Sequence, residues 1–365
     1  MIIKSIELSH FRNYNILSMP LDEETNILYG DNAQGKTNIL EALYLCSTTK
    51  SHKGSKDKEL IKINENEAHI RMTIEKNRIV HTIDMHLKKN NSKGIAIDGI
   101  PIRKSSELIG LVNIVFFSPE DLSIIKNGPS ERRRFMDMEL CQLDKIYLHN
   151  LINYTKVINQ RNNLLKQIPH NPQLIDTLSI WDTQLLQYGT CIIKQRKAFI
   201  DEMNEIIAPI HSRLSGGKEQ LSLQYAPNVE SDFFSQKLEQ SIQKDILQKT
   251  TLVGPHRDDI CFMIQNIDIR KFGSQGQQRT VALSLKLAEI ELLKKTVKDN
   301  PILLLDDVLS ELDRNRQNYL LESIKDIQTI ITCTGLEEFV NNRVKINKIY
   351  KVVNGTVTAE NSLRK

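Results

Sequence analysis

The sequence has few cysteines, few aromatic residues and no long apolar run. Its five cysteines lie far apart and include no CxxC pair, which argues against a disulfide framework or a zinc site and indicates a reducing compartment. They are Cys46, Cys141, Cys191, Cys261 and Cys333. No segment approaches the roughly 18 consecutive apolar residues of a membrane-spanning helix. Charged residues also interrupt the N-terminal segment, unlike the core of a signal peptide. These absences predict a cytoplasmic protein.

The chain also lacks a strong charge of either sign. Its 365 residues include 49 Lys and Arg against 45 Asp and Glu, a net charge of +4, so any DNA binding must come from local clusters of cations. Aromatic residues make up only 5% of the chain and form no stacking platform. We therefore expect any nucleic acid to be recognised through its phosphate backbone and shape. With 40% hydrophobic residues, the chain can form two or three folded domains.

Strand-like and helical patterns alternate in three blocks along the chain. Strand patterns dominate the first block, and Asp98-Gly99 is a strong signal for a tight turn there. An apolar stripe at helical spacing follows Gly30, and Glu41 lies outside this stripe. Helical spacing then dominates from about 130 to 214, with a proline-marked break, and predicts an antiparallel helical arm whose polar return is 216–249. Strand-like segments DICFMI, IDIRKF, ILLLDD and TIITC and two helices follow. The resulting blocks are an N-terminal half-domain, 1–125, a helical insert, 126–249, and a C-terminal half-domain, 250–365.

A glycine-rich phosphate loop follows the first block of strands. The sequence GDNAQGKT (30–37) fits the pattern G-x-x-x-x-G-K-[ST] and lies between a predicted strand and a predicted helix, as that motif requires. Its backbone N–H groups and the helix N-terminus would face phosphate oxygens. Lys36 would neutralise the β- and γ-phosphates, and the Thr37 hydroxyl would bind Mg²⁺. The motif therefore predicts ATP or GTP binding.

A second motif places two carboxylates at the end of a buried strand. In PILLLDDVLSELD (301–313), Asp306 would reach Mg²⁺ as a hard oxygen ligand, and Asp307 would orient or deprotonate an attacking water. The shorter carboxylate of Asp, compared with Glu, predicts slow hydrolysis. The alternative interpretation is a strand-end turn with capping aspartates. Ser310 and Asp313 belong to a following loop that could contact a partner subunit.

A third motif, GSQGQQRT (273–280), precedes a strongly helical segment. It predicts a second helix N-terminus that faces an anion. One nucleotide needs only one phosphate loop, so an economical interpretation is that this motif contacts the γ-phosphate held by another copy of the chain. The alternative is a simple helix N-cap at Ser274.

These motifs occur together in one order and closely resemble the RecF family of bacterial DNA replication and repair proteins, over roughly residues 1–335. The quoted segments are FRNY (11–14), GDNAQGKTN (30–38), FFSPEDLSIIKNGPSERRRFMD (116–137), TLVGPHRDD (251–259), GSQGQQRT (273–280) and LLLDDVLSELD (303–313). The resemblance implies an α/β fold: an ABC/SMC-type P-loop ATPase head with an antiparallel β subdomain, plus an inserted helical arm lobe.

The resemblance also implies a role for each motif. Residues of the phosphate loop would bind ATP in the same subunit, together with Arg12 and Asn13, and the third motif would cap the γ-phosphate of a second subunit. The loop residues are Gly30, Asp31, Asn32, Ala33, Gln34, Gly35, Lys36, Thr37 and Asn38, and the capping residues are Ser274, Gln275, Gly276 and Gln277. Lys36 and Asp307 would be catalytic, with Asp307 as general base, and Thr37 and Asp306 would hold Mg²⁺.

By the same resemblance, the chain would be a slow ATPase that dimerises on ATP and acts in the cytoplasm at the nucleoid. Its DNA targets would be junctions at single-strand gaps and stalled forks, and its partners would be RecR, RecO and RecA. Three features depart from the expected patterns. Thr334 replaces the histidine that follows the final strand in ABC transporter heads, and no glutamine loop is visible around 116–120. Lys53 follows Ser-His where the RecF family often has arginine.

Basic residues on the predicted arm are the candidates for DNA contact. The main candidates are Arg132, Arg133, Arg134, Lys156 and Arg161, and the others are Lys166, Lys194, Arg196 and Lys197. The alternative interpretation is a solvated basic face. For the whole chain, two other functions stay open at this stage: an ABC-type ATPase subunit that energises a transport or nuclease partner, and a small P-loop kinase.

Overall fold

The computed structural model describes residues 1–336 and 346–360. The chain separates into two compact units, one formed by 1–121 with the part that begins at 289, the other by 122–288. Residues 250–288, which the sequence analysis assigned to the C-terminal half-domain, belong to the second unit. The reason is that the strand 259–264 pairs with the strand 221–226, which lies in the predicted insert.

The first unit contains an antiparallel sheet of six strands in the order β2-β1-β4-β5-β6-β7. The strands are β1 (Ile2–Phe11), β2 (Tyr14–Pro20), β4 (Glu67–Lys76), β5 (Ile79–Lys88), β6 (Gly94–Ile97) and β7 (Ile100–Pro101). Asp98 and Gly99 link the last two strands, with φ angles of 53° and 77°. Positive φ at both central residues is typical of the two-residue hairpin turn, so the predicted tight turn is confirmed.

The second sheet of this unit is mainly parallel, with the order β15-β14-β3-β13-β12-β8. Its strands are β3 (Thr25–Tyr29), β8 (Ile114–Phe117), β12 (Ile302–Asp306), β13 (Thr329–Cys333), β14 (Lys348–Val353) and β15 (Thr356–Glu360). β8, β12 and β13 are buried at every position, as expected for continuous apolar strands covered on both faces. The predicted strands ILLLDD and TIITC are confirmed.

Helix α1 (Lys36–Thr48) follows the phosphate loop and is buried around most of its circumference. Among the residues of this unit that the structure describes, the other α-helices, whole or in part, are α2 (Asp57–Leu60), α9 (Gln275–Val297) and α10 (Arg314–Ser323). Glu41 was expected outside the apolar stripe of α1, but its side chain is buried, with 1% exposure. Because α1 is enclosed, the Glu41 carboxylate needs partners, and it accepts hydrogen bonds from Arg12 and Ser51.

The second unit contains the predicted helical arm. Its helices are α3 (Leu122–Lys126), α4 (Pro129–Leu143), α5 (Lys145–Gln167), α6 (Leu178–Leu214), α7 (Phe234–Gln248) and α8 (Ile269–Phe272). α5 and α6 pack together and are joined by a short 3-10 segment, Pro172–Thr177. The 37 residues of α6 correspond to a length of about 55 Å at 1.5 Å per residue.

A small antiparallel sheet accompanies these helices, in the order β11-β10-β9. The strands are β9 (Leu221–Ala226), β10 (Asp259–Ile264) and β11 (Ile267–Asp268). Two sequence-based expectations are wrong here. Residues 216–249 are not a simple return of the arm, because they form β9 and α7. IDIRKF is a strand only at its first two residues, because Asp268 caps α8 through the N–H of Arg270.

Three arginines of the second unit are almost completely buried: Arg132, Arg161 and Arg196 are 1%, 0% and 2% exposed. Arg132 binds Asp259 with two hydrogen bonds of 2.5 and 3.1 Å. Arg196 contacts buried Asp258 at 2.9 Å. Buried guanidinium groups are stable only when paired, so these side chains hold the helices to the segment around β10.

Arg161 has two acidic partners. Its Nε donates to Asp182 at 2.6 Å, and its Nη1 donates to Asp245 at 2.6 Å and to Thr251 Oγ1 at 3.0 Å. The expectation that Arg132, Arg161 and Arg196 contact DNA is therefore corrected: their charges are neutralised inside the protein. Among the described residues, no helix is long and apolar enough to cross a membrane.

The structure predicts that Arg161→Ala destabilises the second unit by about 3–5 kcal/mol, because it leaves the fully buried Asp245 without its cationic partner. Lys156→Ala, which changes an exposed residue of the same helix, is the control and should change stability by less than about 0.5 kcal/mol. Urea unfolding followed by circular dichroism measures both. Equal stabilities of the two variants would contradict this account of Arg161.

Candidate nucleotide-binding site

The phosphate loop connects the end of β3 to the start of α1 and depends on two glycines with positive φ. Gly30 and Gly35 have φ angles of 149° and 114°. A Cβ atom on Gly30 would overlap the Val352 carbonyl oxygen, and one on Gly35 would overlap the Asn13 side chain. Both positions therefore need glycine for conformational and steric reasons.

The Lys36 ammonium lies within this loop. Its Nζ donates to the carbonyl oxygens of Gly30 at 2.5 Å and of Asp31 at 2.8 Å, and the residue is only 7% exposed. A nearly buried cation beside the N-terminus of α1 creates a positive potential that attracts a polyphosphate. The structure thus places Lys36 where the motif predicts it.

Gln34, at the tip of the loop, is held from two sides. Its carbonyl oxygen accepts hydrogen bonds from Asn13 Nδ2 at 2.9 Å and from Gly355 N at 3.1 Å. Its side-chain Oε1 accepts one from Asn354 N at 2.6 Å. Asn38 Nδ2 donates to Asn13 Oδ1 at 2.8 Å, so Asn13 bridges the two ends of the loop.

Asn354 and Gly355 form the turn between β14 and β15, and the sequence analysis did not identify them as site residues. The available signal was the Asn-Gly pair, which is typical of a hairpin turn. That signal predicts a turn but does not show which other segment the turn contacts, because the partner Gln34 is 320 residues away.

Asp306 joins the loop to the adjacent strands. Its Oδ1 accepts hydrogen bonds from Thr37 Oγ1 and Thr332 Oγ1, both at 2.8 Å. A hydroxyl and a carboxylate therefore converge at the edge of the parallel sheet. This donor set fits Mg²⁺, which prefers oxygen ligands and usually combines one or two protein groups with phosphate oxygens and water.

Asp307 follows in an unusual conformation, with φ of 55°. Its N–H donates to Thr332 Oγ1 at 3.0 Å, so the backbone turns sharply after the strand. Ser310 Oγ donates to the Asp307 carbonyl oxygen at 2.8 Å. Asp313 caps α10 by accepting from the N–H groups of Asn315 and Arg316. The catalytic role of Asp307 and the interface role of Ser310 and Asp313 stay predictions.

Arg12 contacts α1 through Glu41. Its Nε and Nη2 donate to the two carboxylate oxygens of Glu41 at 2.8 and 3.0 Å, and Ser51 Oγ donates to the same carboxylate at 2.5 Å. Burial alone would raise the pKa of Glu41, but the hydrogen bonds from Arg12 and Ser51 hold that pKa below its ordinary value. Of the two predicted residues, Asn13 contacts the phosphate loop directly, whereas Arg12 pairs with Glu41.

The third motif forms the start of α9, in the second unit. Ser274 N–H donates to Gln277 Oε1 at 2.9 Å, and Gln277 N–H donates to Ser274 Oγ at 3.2 Å. This reciprocal pair is a capping box, so the N-cap interpretation of Ser274 is confirmed. Ser274, Gln275 and Gly276 are exposed. Because Ser274 Oγ accepts in the capping box, its hydroxyl hydrogen can donate to a further group.

The remaining basic candidates differ in exposure. Arg133 is half-buried and donates to the Asp258 carbonyl oxygen at 2.8 Å; burial lowers the pKa of its guanidinium. Arg134 and Lys156 are exposed, as are Lys166, Lys194 and Lys197. DNA contact by these residues stays a prediction.

Comparison with known proteins identifies the family. The family model described as "RecF/RecN/SMC N terminal domain" matches residues 2–358. The chain is 67% identical over 357 residues to "DNA replication and repair protein RecF" of Lachnoclostridium phytofermentans, covering 98% of this chain and 99% of that protein. The chain belongs to the RecF family. The RecF protein of Lachnospira eligens is 63% identical over 363 residues, covering 99% of this chain and all (100%) of that protein.

Solved structures give the same result. The structure of "the recombination mediator protein RecF-ATP in RecFOR pathway" superposes with a TM-score of 0.93 and 35% identity, covering 99% of this chain and 98% of that one. The "SmcHead bound to the C-winged helix domain of ScpA" superposes with a TM-score of 0.57 at 17% identity, covering 100% and 98% of the two chains, which supports the fold alone. The expected ABC/SMC-type ATPase fold with antiparallel sheets is therefore confirmed.

The contacts of Gln34 predict that Gly355→Ala weakens ATP binding about tenfold, equivalent to about 1.4 kcal/mol. The new methyl group would lie 2.8 Å from the Asn13 carbonyl oxygen and would displace the turn from the phosphate loop. Gly99→Ala is the matched control, because Gly99 has a similar φ of 77° but a Cβ there meets nothing within 4 Å. Isothermal titration calorimetry measures both affinities. An unchanged ATP affinity in Gly355→Ala would contradict a supporting role for this turn.

Proposed function

We propose that this RecF-family protein is an ATP-dependent DNA-binding protein of recombinational repair and replication restart. ATP joins two copies, the dimer clamps DNA at single-strand/double-strand junctions of gaps, and slow hydrolysis releases it. The observation that carries this proposal is that one chain has two helix N-termini suited to phosphate: the loop with Lys36 and the exposed capping box at Ser274. A single nucleotide occupies one phosphate loop, so the second N-terminus suits the nucleotide of another copy.

Within one copy, the phosphate loop binds the nucleotide. The backbone N–H groups at the start of α1 and the Lys36 ammonium bind the phosphates, and Asn13 keeps the loop in shape. Thr37 and Asp306 would hold Mg²⁺, which would neutralise charge on the β- and γ-phosphates. Asp307, which directly follows β12, orients the attacking water, and its short side chain accounts for slow turnover.

The γ-phosphate supplies the link between copies. The Ser274 hydroxyl hydrogen and the first N–H groups of α9 donate to it from the second copy, so the bound ATP contacts both subunits. A ligand favours the dimer only through contacts that the monomer lacks. ADP has no γ-phosphate and therefore provides no such link.

DNA is bound through its phosphates rather than its bases. Exposed cations of the second unit, including Arg134 and Lys156, supply local positive charge in a chain whose net charge is only +4. Phosphate contacts of this kind make affinity fall steeply with salt. The similarity to a mediator of the RecFOR pathway supports RecR and RecO as partners. Placement of RecA on DNA is the outcome that we propose for this binding.

The proposal predicts that Ser274→Arg keeps ATP binding within about threefold of the wild type and loses ATP-dependent dimerisation, because a bulky side chain blocks the partner's γ-phosphate. Sedimentation velocity with ATP and Mg²⁺ measures dimerisation, and fluorescent-nucleotide titration measures binding. Lys36→Met should lose both. Ser235→Arg, at another exposed serine near a helix start, should lose neither. Persistence of the dimer in Ser274→Arg would contradict capping of ATP by a second copy.

A further inference from the structure

Glu219 lies between α6 and β9 and contacts the capping box of α9. Gln277 Nε2 donates to Glu219 Oε1 at 2.9 Å. The other carboxylate oxygen, Oε2, is 3.1 Å from His211 Nε2. The Glu219 side chain is only 22% exposed, so this carboxylate connects an exposed motif to the interior of the second unit.

His211 anchors the inner end of this chain of contacts. It lies near the end of α6 and is fully buried, with 0% exposure. Its Nδ1 is 2.9 Å from Ser284 Oγ, and Ser284 Oγ donates to the Thr280 carbonyl oxygen at 2.8 Å. Because a carboxylate oxygen only accepts hydrogen bonds, the 3.1 Å contact makes His211 Nε2 the donor to Glu219 Oε2.

The contacts form a closed ring around the first turns of α9. Gln277 completes the capping box through its Oε1 and N–H, and uses its Nε2 for Glu219. Ser284 lies seven residues further along the same helix and contacts His211. α9 is therefore attached at two points, about two helical turns apart, to the C-terminal part of α6 and the segment after it.

We infer that Glu219 is a positioning residue for the capping of ATP by the second copy: it fixes the Gln277 side chain and thereby the direction of the Ser274 hydroxyl and the first N–H groups of α9. This inference rests on the proposed function. Glu219 itself touches no nucleotide. It acts through Gln277, and its effect falls on the nucleotide bound by the partner.

The physical reason is preorganisation. Without the carboxylate, the Gln277 amide loses one of its two anchors and its side chain gains rotamers. The capping box must then be ordered when the dimer forms, which weakens association. Glu219→Gln keeps an oxygen that accepts from Gln277 Nε2, so it should retain the dimer, whereas Glu219→Ala removes that oxygen.

Glu219→Ala is expected to weaken ATP-dependent dimerisation at least about tenfold, with ATP affinity of the monomer within about twofold of the wild type. Glu219→Gln should restore dimerisation to within about threefold. Glu239→Ala, at an exposed glutamate of α7, is the matched control and should dimerise like the wild type. Normal dimerisation of Glu219→Ala, or failure of Glu219→Gln to restore it, would overturn the inference.

Mixing variants shows whether Glu219→Ala affects the nucleotide bound by the partner or the nucleotide bound by the same chain. Glu219→Ala has an intact phosphate loop, and Lys36→Met has an intact capping box, so a mixed dimer contains one complete site although neither variant forms one alone. Fluorescence energy transfer between separately labelled Glu219→Ala and Lys36→Met should therefore report an ATP-dependent dimer. A general folding defect in Glu219→Ala would not be repaired by Lys36→Met.

The mixture of Ser274→Arg with Lys36→Met is the reference, because it tests the proposed function without involving Glu219. If the reference mixture dimerises and the Glu219→Ala mixture does not, the inference is wrong and the proposed function stands. If the reference mixture also stays monomeric, capping by a second copy is wrong, and the inference fails with it.

Discussion

The parallel pairing of β3 with β13, and of β13 with β12, is the constraint on which the nucleotide site depends. In this register Tyr29 pairs with Cys333, and Asp306 pairs with Thr332. Gly30, the residue after Tyr29, and Asp306, the last residue of β12, therefore lie at the same edge of the sheet. The paired strands come from opposite ends of the chain. Because the entropy cost of closing a loop grows only logarithmically with its length, the whole second unit can be inserted between them without preventing the pairing.

Local chemistry made much of this site predictable from the sequence. Gly30 and Gly35 have conformations that few other residues adopt, Lys36 and Thr37 occupy fixed positions after them, and the apolar run before Asp306 marks a buried strand. Each signal is contained within about ten residues. The structure places the Lys36 ammonium within the phosphate loop and the Thr37 hydroxyl against Asp306, and the roles of these residues toward nucleotide and Mg²⁺ stay predictions.

The sequence does not show which residues from distant segments contact each other in the fold. Arg132 and Arg161 belong to a segment rich in basic residues, and only the fold shows that each faces a buried or half-buried carboxylate from a distant element. The Asn354-Gly355 turn and Glu219 were missed for the same reason, since neither has a local pattern that identifies its partner. The strand β9 carries a local signal that was overlooked: Leu221, Leu223 and Tyr225 alternate with polar residues inside an otherwise polar segment.

The capping box at Ser274 shows that a structural motif and a ligand site can use the same atoms. The hydroxyl oxygen accepts from Gln277 and completes the helix start, while its hydrogen stays available for a phosphate oxygen. The N-cap interpretation and the phosphate interpretation of this motif are therefore compatible. A preformed cap also lowers the ordering cost of association, which suits a dimer held together by a bridging nucleotide.

The central claim is that a γ-phosphate links two copies of the chain. Sedimentation equilibrium of the wild-type protein with Mg²⁺, in the presence of ATP, of ADP or of no nucleotide, each with and without gapped duplex DNA, tests it most directly. The account predicts dimers with ATP and monomers with ADP or without nucleotide, with gapped DNA increasing the dimer fraction only when ATP is present. A protein that stays monomeric with ATP at every attainable concentration, or that dimerises equally with ADP, would contradict it.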